Sequence, residues 1–567
     1  VVLGASGSTS VTYTKTKRTF TAGETITGGT SGNTRVIASS GVLEGALTAT
    51  ATTGDITDSD VLRIAGETSF TAADGQSVLL DELSFFGDIV GFNASSGRLA
   101  NVTVDDSSGI KLAGMSLTGN LTVTAGGGIS QPNEALIIDG TSSFTIDVNN
   151  SSLQLMTSLN DFGGAVSGNG HHFKIRDVDD IVLGAIRASP GQIIITAGGA
   201  VTQTGALTAN GNTTITATGF DVTMNEAANK WGGATKIKGE DVSLTAGNSR
   251  INMNVSTITG NLTLLSTHAN GITDAGAMTV GGTASFQTTV ADADIVLDVG
   301  HAIAGTVTLN TTGSTGHATL DNGTLDLVLG NGTSVSGTTL ATSVGGDLTL
   351  TSGAATGITD YGDDTVTVGG ELIAITDANS GVINLGTTTI GGTITLVTDG
   401  TGDATLDNGT TDIVIGTSTT LSTATNVGGD LTLISGAAAG ITDSATVTVG
   451  GNLTATTDAN NGVINLDTLA VTGNFALTTH GTGSATIDNG TADIDILLAS
   501  IGGALTLTSG AATGIFDSGT VTVGGNLSAT TDANNGVITL DNLAVDTDGG
   551  STIAFAPHGS GDVTIVN

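Results

Sequence analysis

The sequence predicts an all-β protein, a parallel β-helix (β-solenoid) wound in triangular coils of about 22 residues. Three observations carry this. The string VGGNLTATTDANNGVINLDTLAV at 449–471 returns almost unchanged as VGGNLSATTDANNGVITLDNLAV at 523–545. Apolar residues alternate with Thr, Asn and Asp over short runs, the period-two signature of strands. The vocabulary is Val, Ile, Leu, Ala and Thr, with Gly-rich punctuation and few helix formers.

Each part of the repeated string has a role. Leu453 and Ala455 form one inward face, Ile464 and Leu466 a second, and Leu469 and Val471 a third. Thr454, Thr456, Asn465 and Ala470 point outward. Gly450-Gly451 and the run Asp458 to Gly462 supply left-handed-capable residues at the corners. One coil cannot bury its own inner face, so its stability comes from neighbours stacked about 4.8 Å above and below. Over the whole chain this gives a rod on the order of 120 Å. The narrow interior explains why aromatics are 3% of residues, with Phe475 and Phe516 as occasional wide places.

Valine or isoleucine followed by a Gly-Gly-like pair marks the short unit at Ile258, Val280, Ile303, Val344, Val368, Ile390, Val427, Val449, Val471, Ile501, Val523 and Val545. A longer unit sits above it. Four blocks begin near 258, 344, 427 and 501, each with a GITD-like turn ending at Asp274, Asp360, Asp443 or Asp517. Each block also holds an ATLDN-like strand near Leu320, Leu406, Ile487 or Ile565. Stacked immunoglobulin-like sandwiches explain only the longer period; stacked coils explain both. Residues 1–250 are read as an irregular solenoid portion carrying all Lys and Arg, continuous with a regular portion at 251–567. Within the first portion, HHFKIRDVDD (171–180) and NKWGG (229–233) read as loops and outer-face excursions.

Charge and composition remove several function classes. The net charge is −38, and all 14 basic residues lie between Lys15 and Arg250. Such a surface repels nucleic acid and anionic lipid. There is no Cys, so neither disulfides nor thiolate metal sites are available. No apolar run is long enough to span a membrane as a helix. The start VVLGASGSTS lacks Met and a charged-then-apolar leader, as expected of a processed or internal segment.

The strings LTGNLTVTAGGGISQ, TGALTANGNTTITATG and VGGNLTATTDANNGVINLD resemble bacterial exoproteins of the filamentous-haemagglutinin and autotransporter-passenger type. The resemblance implies a right-handed parallel β-helix at the cell surface or outside the cell, acting as an adhesin or fibre. No Asn-Pro-Asn secretion motif accompanies it; Pro132, Pro190 and Pro557 are the only prolines.

Enzymatic β-helices need gathered carboxylates or a cation beside a base. The acidic pairs Asp292/Asp294, Asp363/Asp364 and Asp493/Asp495 read as solvated turns. The stretch from His171 to Arg187, with His172, Lys174, Arg176, Asp177, Asp179 and Asp180, carries the alternative reading, a polysaccharide-active or glycan-binding β-helix. His268, His301, His317, His480 and His558 are scattered at turns, without metal-ligand spacing. Recurring turns place Asp377 and Asn379, Asp458 and Asn460, and Asp532 and Asn534 as weak candidates for structural Ca²⁺, since hard oxygens select it. Metal-free Asx-turns account for the same residues. The sequence reading is therefore a non-enzymatic extracellular shaft or filament subunit. It has no required cofactor, it self-associates end-to-end or laterally, and a surface or glycan ligand is its expected external partner.

Overall fold

The computed structural model describes residues 2–4, 9–14, 34–35, 45–58, 61–148, 150–362, 364–546 and 550–566. Val1, Asp363 and Asn567 lie outside the described residues. The chain divides into two compact units, Val1–Gly260 and Asn261–Asn567. Both are parallel β-solenoids, and no helix occurs among the described residues.

In the first unit, strands stack in register from coil to coil. Val102, Leu121, Ser142 and Val166 follow one another down one ladder. A second ladder passes from Phe173 to Ile193, Thr213 and Thr235. A third, shorter side is built from Met115–Leu117, Leu136–Ile138 and Asp161–Phe162. Five-residue strands such as Leu121–Ala125 and Ile193–Ala197 bury alternate residues. This is the period-two pleat applied to a coil with one dry face. One edge is covered: Thr9–Thr14 runs antiparallel along Ala46–Ala51.

The interior of this unit is wider than expected. Phe70 stacks on Phe92 with ring centroids 5.9 Å apart and meets Phe86 edge-on at 6.2 Å. Trp231 is fully buried, its indole N–H donating to the Thr245 carbonyl at 2.9 Å. NKWGG is thus core and corner, not an outer excursion. HHFKIRDVDD is likewise a regular rung, since Phe173–Arg176 pairs with Leu153–Leu155 on one side and Ile193–Ala197 on the other. Lys174 and Arg176 occupy the outward positions of that strand, whereas Asp177, just past its end, is buried.

In the second unit the repeated string behaves as read. Leu453, Ala455, Ile464, Leu466, Leu469 and Val471 are all buried, and their alternates face outward. Leu431, Leu453 and Phe475 pair in register, 22 residues apart at each step. Phe475 is buried, whereas Phe516 lies on the outward face beside Asp495 and Thr539. The corner glycines work differently from the expectation. The left-handed positions fall on Asn460 and Asn461, with φ of 54° and 55°. Gly450 is needed for close approach instead, because a Cβ there would stand 2.3 Å from the Gly428 carbonyl oxygen.

The longer repeat marks an exchange of sides. One ladder carries single strands at Leu262–Ser266, Ala284–Ala291 and Val307–Thr312. It then carries pairs of short strands, such as Ile358–Asp360 with Val366–Val368. At Ala404–Asp407 it returns to single strands. The opposite ladder does the reverse, its single strands starting at Ala318–Asp321 and again at Ala485–Asp488. The ATLDN-like strands Ala318–Asp321, Ala404–Asp407 and Ala485–Asp488 are each the first single strand after a run of pairs.

Candidate functional site

The candidate Ca²⁺ residues sit in three equivalent turns. Asp377, Asp458 and Asp532 are exposed. Asn379, Asn460 and Asn534 donate their side-chain N–H to the carbonyls of Gly353, Gly436 and Gly510, each at 2.7 Å. Each asparagine therefore ties its turn to the coil before it. Among the described residues one group of acidic side chains comes within metal-ligand range, and it is Asp161, Asp177 and Asp179.

The acidic pairs also tie coils together. Asp292 accepts the Thr315 N–H at 3.0 Å, Asp294 that of His317 at 2.9 Å, and Asp495 that of Ser518 at 2.9 Å. The Thr315 N–H holds the Asp292 carboxyl below its ordinary range. Asp364 accepts from the backbone of Asn331 at 3.0 Å.

The mixed stretch at His171–Arg187 does not gather around one point. The His171 and His172 rings meet perpendicularly at 4.3 Å, and His172 Nδ1 accepts the Gln192 N–H at 3.0 Å. Partial burial, with His171 and Lys174 beside it, pushes the His172 pKa down. Arg176, Asp179, Asp180 and Arg187 are exposed on the outer face. Asp177 faces the other way and is buried, accepting N–H bonds from Phe162 at 3.2 Å and Asp179 at 3.4 Å. Burial raises its pKa to about 7. Asp161 is shifted upward by the same cause and by Asp179. Ligand oxygens of Asp161, Asp177 and Asp179 lie within 4.8 Å of one another, a set of hard donors that suits a divalent cation or a shared proton. Nearby, Arg98 grips Asp139 with both guanidinium nitrogens, at 2.7 and 2.8 Å.

The most ordered polar chemistry is inside the solenoid. Gln131 and Asn160 exchange two amide hydrogen bonds, at 2.6 and 2.9 Å, and Asn160 Oδ1 also accepts the Leu136 N–H at 3.0 Å. Gln203 and Asn229 repeat this, at 3.0 and 2.9 Å, with the Leu207 N–H reaching Asn229 at 2.8 Å. His301 stands at the corresponding place in a later coil. It precedes a short strand, Ala302–Ile303, and its Nδ1 accepts the Met278 N–H at 3.0 Å. Its partner is Asp274, whose Oδ2 lies 2.8 Å from Nε2, off the line of a well-aligned hydrogen bond. The His301 and Asp274 side chains are 0% and 2% exposed. Burial holds the His301 pKa down and pushes that of Asp274 up.

Asp274 is also the first GITD-type aspartate, and the others serve one purpose. Asp360 accepts the Thr387 N–H at 2.8 Å, Asp443 that of Thr468 at 2.7 Å, and Asp517 those of Asp541 and Asn542, both at 2.9 Å.

Each single-strand run that follows a pair of short strands needs a plug, because the second short strand no longer has a strand stacked on it. Asn322, Asn408 and Asn489, the last residue of each ATLDN motif, supply it. Their Oδ1 atoms accept the N–H of Ile303, Ile390 and Val471 at 2.8, 2.7 and 2.8 Å. Their Nδ2 atoms donate to the carbonyls of the same residues at 3.0, 3.1 and 3.0 Å. A primary amide thus imitates a passing backbone. All three side chains are fully buried, so the Asn-Gly-Thr sequon at Asn322 is closed to modification, whereas Asn120, Asn261 and Asn452 are exposed.

The fold and these ties define a repeat β-solenoid. Four consecutive stretches, residues 21–90, 99–169, 170–238 and 239–310, match a family model described as repeats of unknown function (DUF5649), together just under half of the chain. Asn160, Asn229 and His301 each fall about 60 residues into the second, third and fourth of these stretches. No curated protein and no solved structure matches the chain.

Proposed function

We propose that this chain is a non-enzymatic structural shaft, an adhesin stalk or surface fibre displayed outside the cell. The observation that supports this most is the use made of polar side chains between coils. Asn322, Asn408 and Asn489 spend their amides on the backbone of a neighbouring coil, and Asp360, Asp443 and Asp517 spend their carboxylates in the same way. Side chains committed to holding coils together are unavailable to a substrate. The second unit carries no Lys or Arg, so its surface stays anionic and well hydrated. Self-association into filaments belongs to the same reading, as does an external surface or glycan ligand.

Negative-stain microscopy of the native material, with surface protease shaving of intact source cells, tests this. Straight rods or fibres and release of fragments by shaving are expected. Compact particles, or a chain protected inside intact cells, would remove the reading. Light scattering tests assembly separately, and a monomer at every concentration excludes filaments. Turnover of any polysaccharide that is lost on substituting His171, Lys174 and Arg176 by Ala would favour the glycan-active alternative.

A further inference from the structure

The His301–Asp274 pair stands where two other coils carry a Gln–Asn pair, and this substitution changes what the lock responds to. Asn160 and Asn229 accept the first N–H of the short strand in the preceding coil, from Leu136 and Leu207. His301 accepts the equivalent N–H, from Met278, at 3.0 Å. Amides cannot titrate near neutrality; imidazole can. The Nδ1 that accepts the Met278 N–H carries no proton, so the neutral ring holds its single proton on Nε2, toward Asp274. A proton taken from water onto Nδ1 turns that acceptor into a donor. Two N–H groups then face one another where a buried hydrogen bond had been.

We propose that His301 and Asp274 form a proton-operated version of the Gln–Asn lock, which on mild acidification releases the stacking of Ala302–Ile303 on Met278–Val280. The charged groups facing the imidazole are Asp274, Asp298 and Asp321, from the strand and turns packed against it. They attract the added proton, while burial resists it. The backbone N–H of His301 is bound separately, to the Asp321 carbonyl of the following coil at 2.8 Å, so the ring can let go of Met278 while the chain stays tied to that following coil.

The sign follows from the direction of the shift. A histidine whose folded pKa lies below the ordinary 6.5 weakens the fold as pH falls from about 6.5 toward the folded value. The upward shift of Asp274 acts in the opposite sense, so both members must be replaced together to isolate the pair.

The test is amide hydrogen exchange on the intact chain, corrected for intrinsic rate. On going from about pH 7.5 to about pH 5.5, exchange at Met278 should rise about tenfold. Leu136 and Leu207, held by Asn160 and Asn229, should hold their protection in the same sample. The double variant D274Q/H301N restores the amide pair and should abolish the response at Met278. Unchanged protection of Met278 in the native chain over this range would overturn the proposal. So would an equal rise at Leu207, or an acid response that survives in a folded double variant.

Discussion

The first unit fills its coils with aromatic rings and the second almost entirely with aliphatic side chains, and the difference decides how repetitive each sequence looks. Around Phe70 the first unit gathers Phe86 and Phe92. The rings are matched differently from coil to coil: Phe70 pairs in register with Phe92, whereas Phe144 pairs with Gly168, where a Cβ would sit 2.6 Å from the Phe144 carbonyl oxygen. Such individual fits make each coil specific to its neighbours, and the text does not repeat. In the second unit Leu431 stacks on Leu453, so one solution serves many coils and the text returns. The polar locks divide in the same way. The first unit pairs two side chains, Gln with Asn, whereas the second lets a lone Asn imitate a strand.

Removing a lone plug should have the largest effect. Asn408→Leu leaves the Ile390 N–H and C=O buried without partners, at a cost of about 3–6 kcal/mol. It should appear as a lowered denaturation midpoint for the second unit only. Asn408→Gln, which keeps the amide but not its reach, should lose less. Phe70→Ala should cost about 3–5 kcal/mol in the first unit, against about 2–4 kcal/mol for Leu453→Ala in the second. Equal losses would mean that the aromatic cluster adds nothing beyond volume.

A pH titration of stability sharpens the comparison. Asp177 of the first unit has its pKa raised from 3.8 to about 7, so the folded state holds a proton that the unfolded chain gives up. Stability of that unit should fall as pH rises from about 4 to about 7, and Asp177→Asn should flatten this slope in thermal melts. The smallest effect is at a corner. Asn460→Ala forfeits the bond to the Gly436 carbonyl and strains a φ of 54°, for about 1–2 kcal/mol, while Asn460→Gly relieves the strain and costs less. Because the Asn460 amide already ties this turn to the Gly436 carbonyl, a chelator should leave the melting midpoint in place. A chelator-induced drop would assign the turns at Asp377, Asp458 and Asp532 to Ca²⁺.

The coil length, the parallel stacking and the inward and outward faces of Val449–Val471 could be read from the sequence, because alternation and spacing report a pleat directly. The exchange of sides could not. ATLDN was visible as a recurring string, but nothing local distinguishes an Asn that plugs a ladder from one in an exposed turn. Gln131 and Asn160 are 29 residues apart and look like loop vocabulary until coils are superposed. His301 resembled any scattered surface histidine for the same reason. Lys and Arg flanking Trp231 and Phe173 make both stretches read as outer-face excursions, although strand alternation puts neighbours on opposite faces. A signal does exist: Asn160 and Asn229 recur at matching positions in two consecutive stretches that match the family model.

Side-chain amides replace missing backbone at the places where the coils exchange sides. Hydrogen exchange at Ile390 measures this most directly. Its N–H should be as protected as that of Leu433 in mid-strand, and should lose that protection selectively in Asn408→Leu. Rapid exchange at Ile390 in the native chain, or protection that outlasts the loss of Asn408, would contradict it.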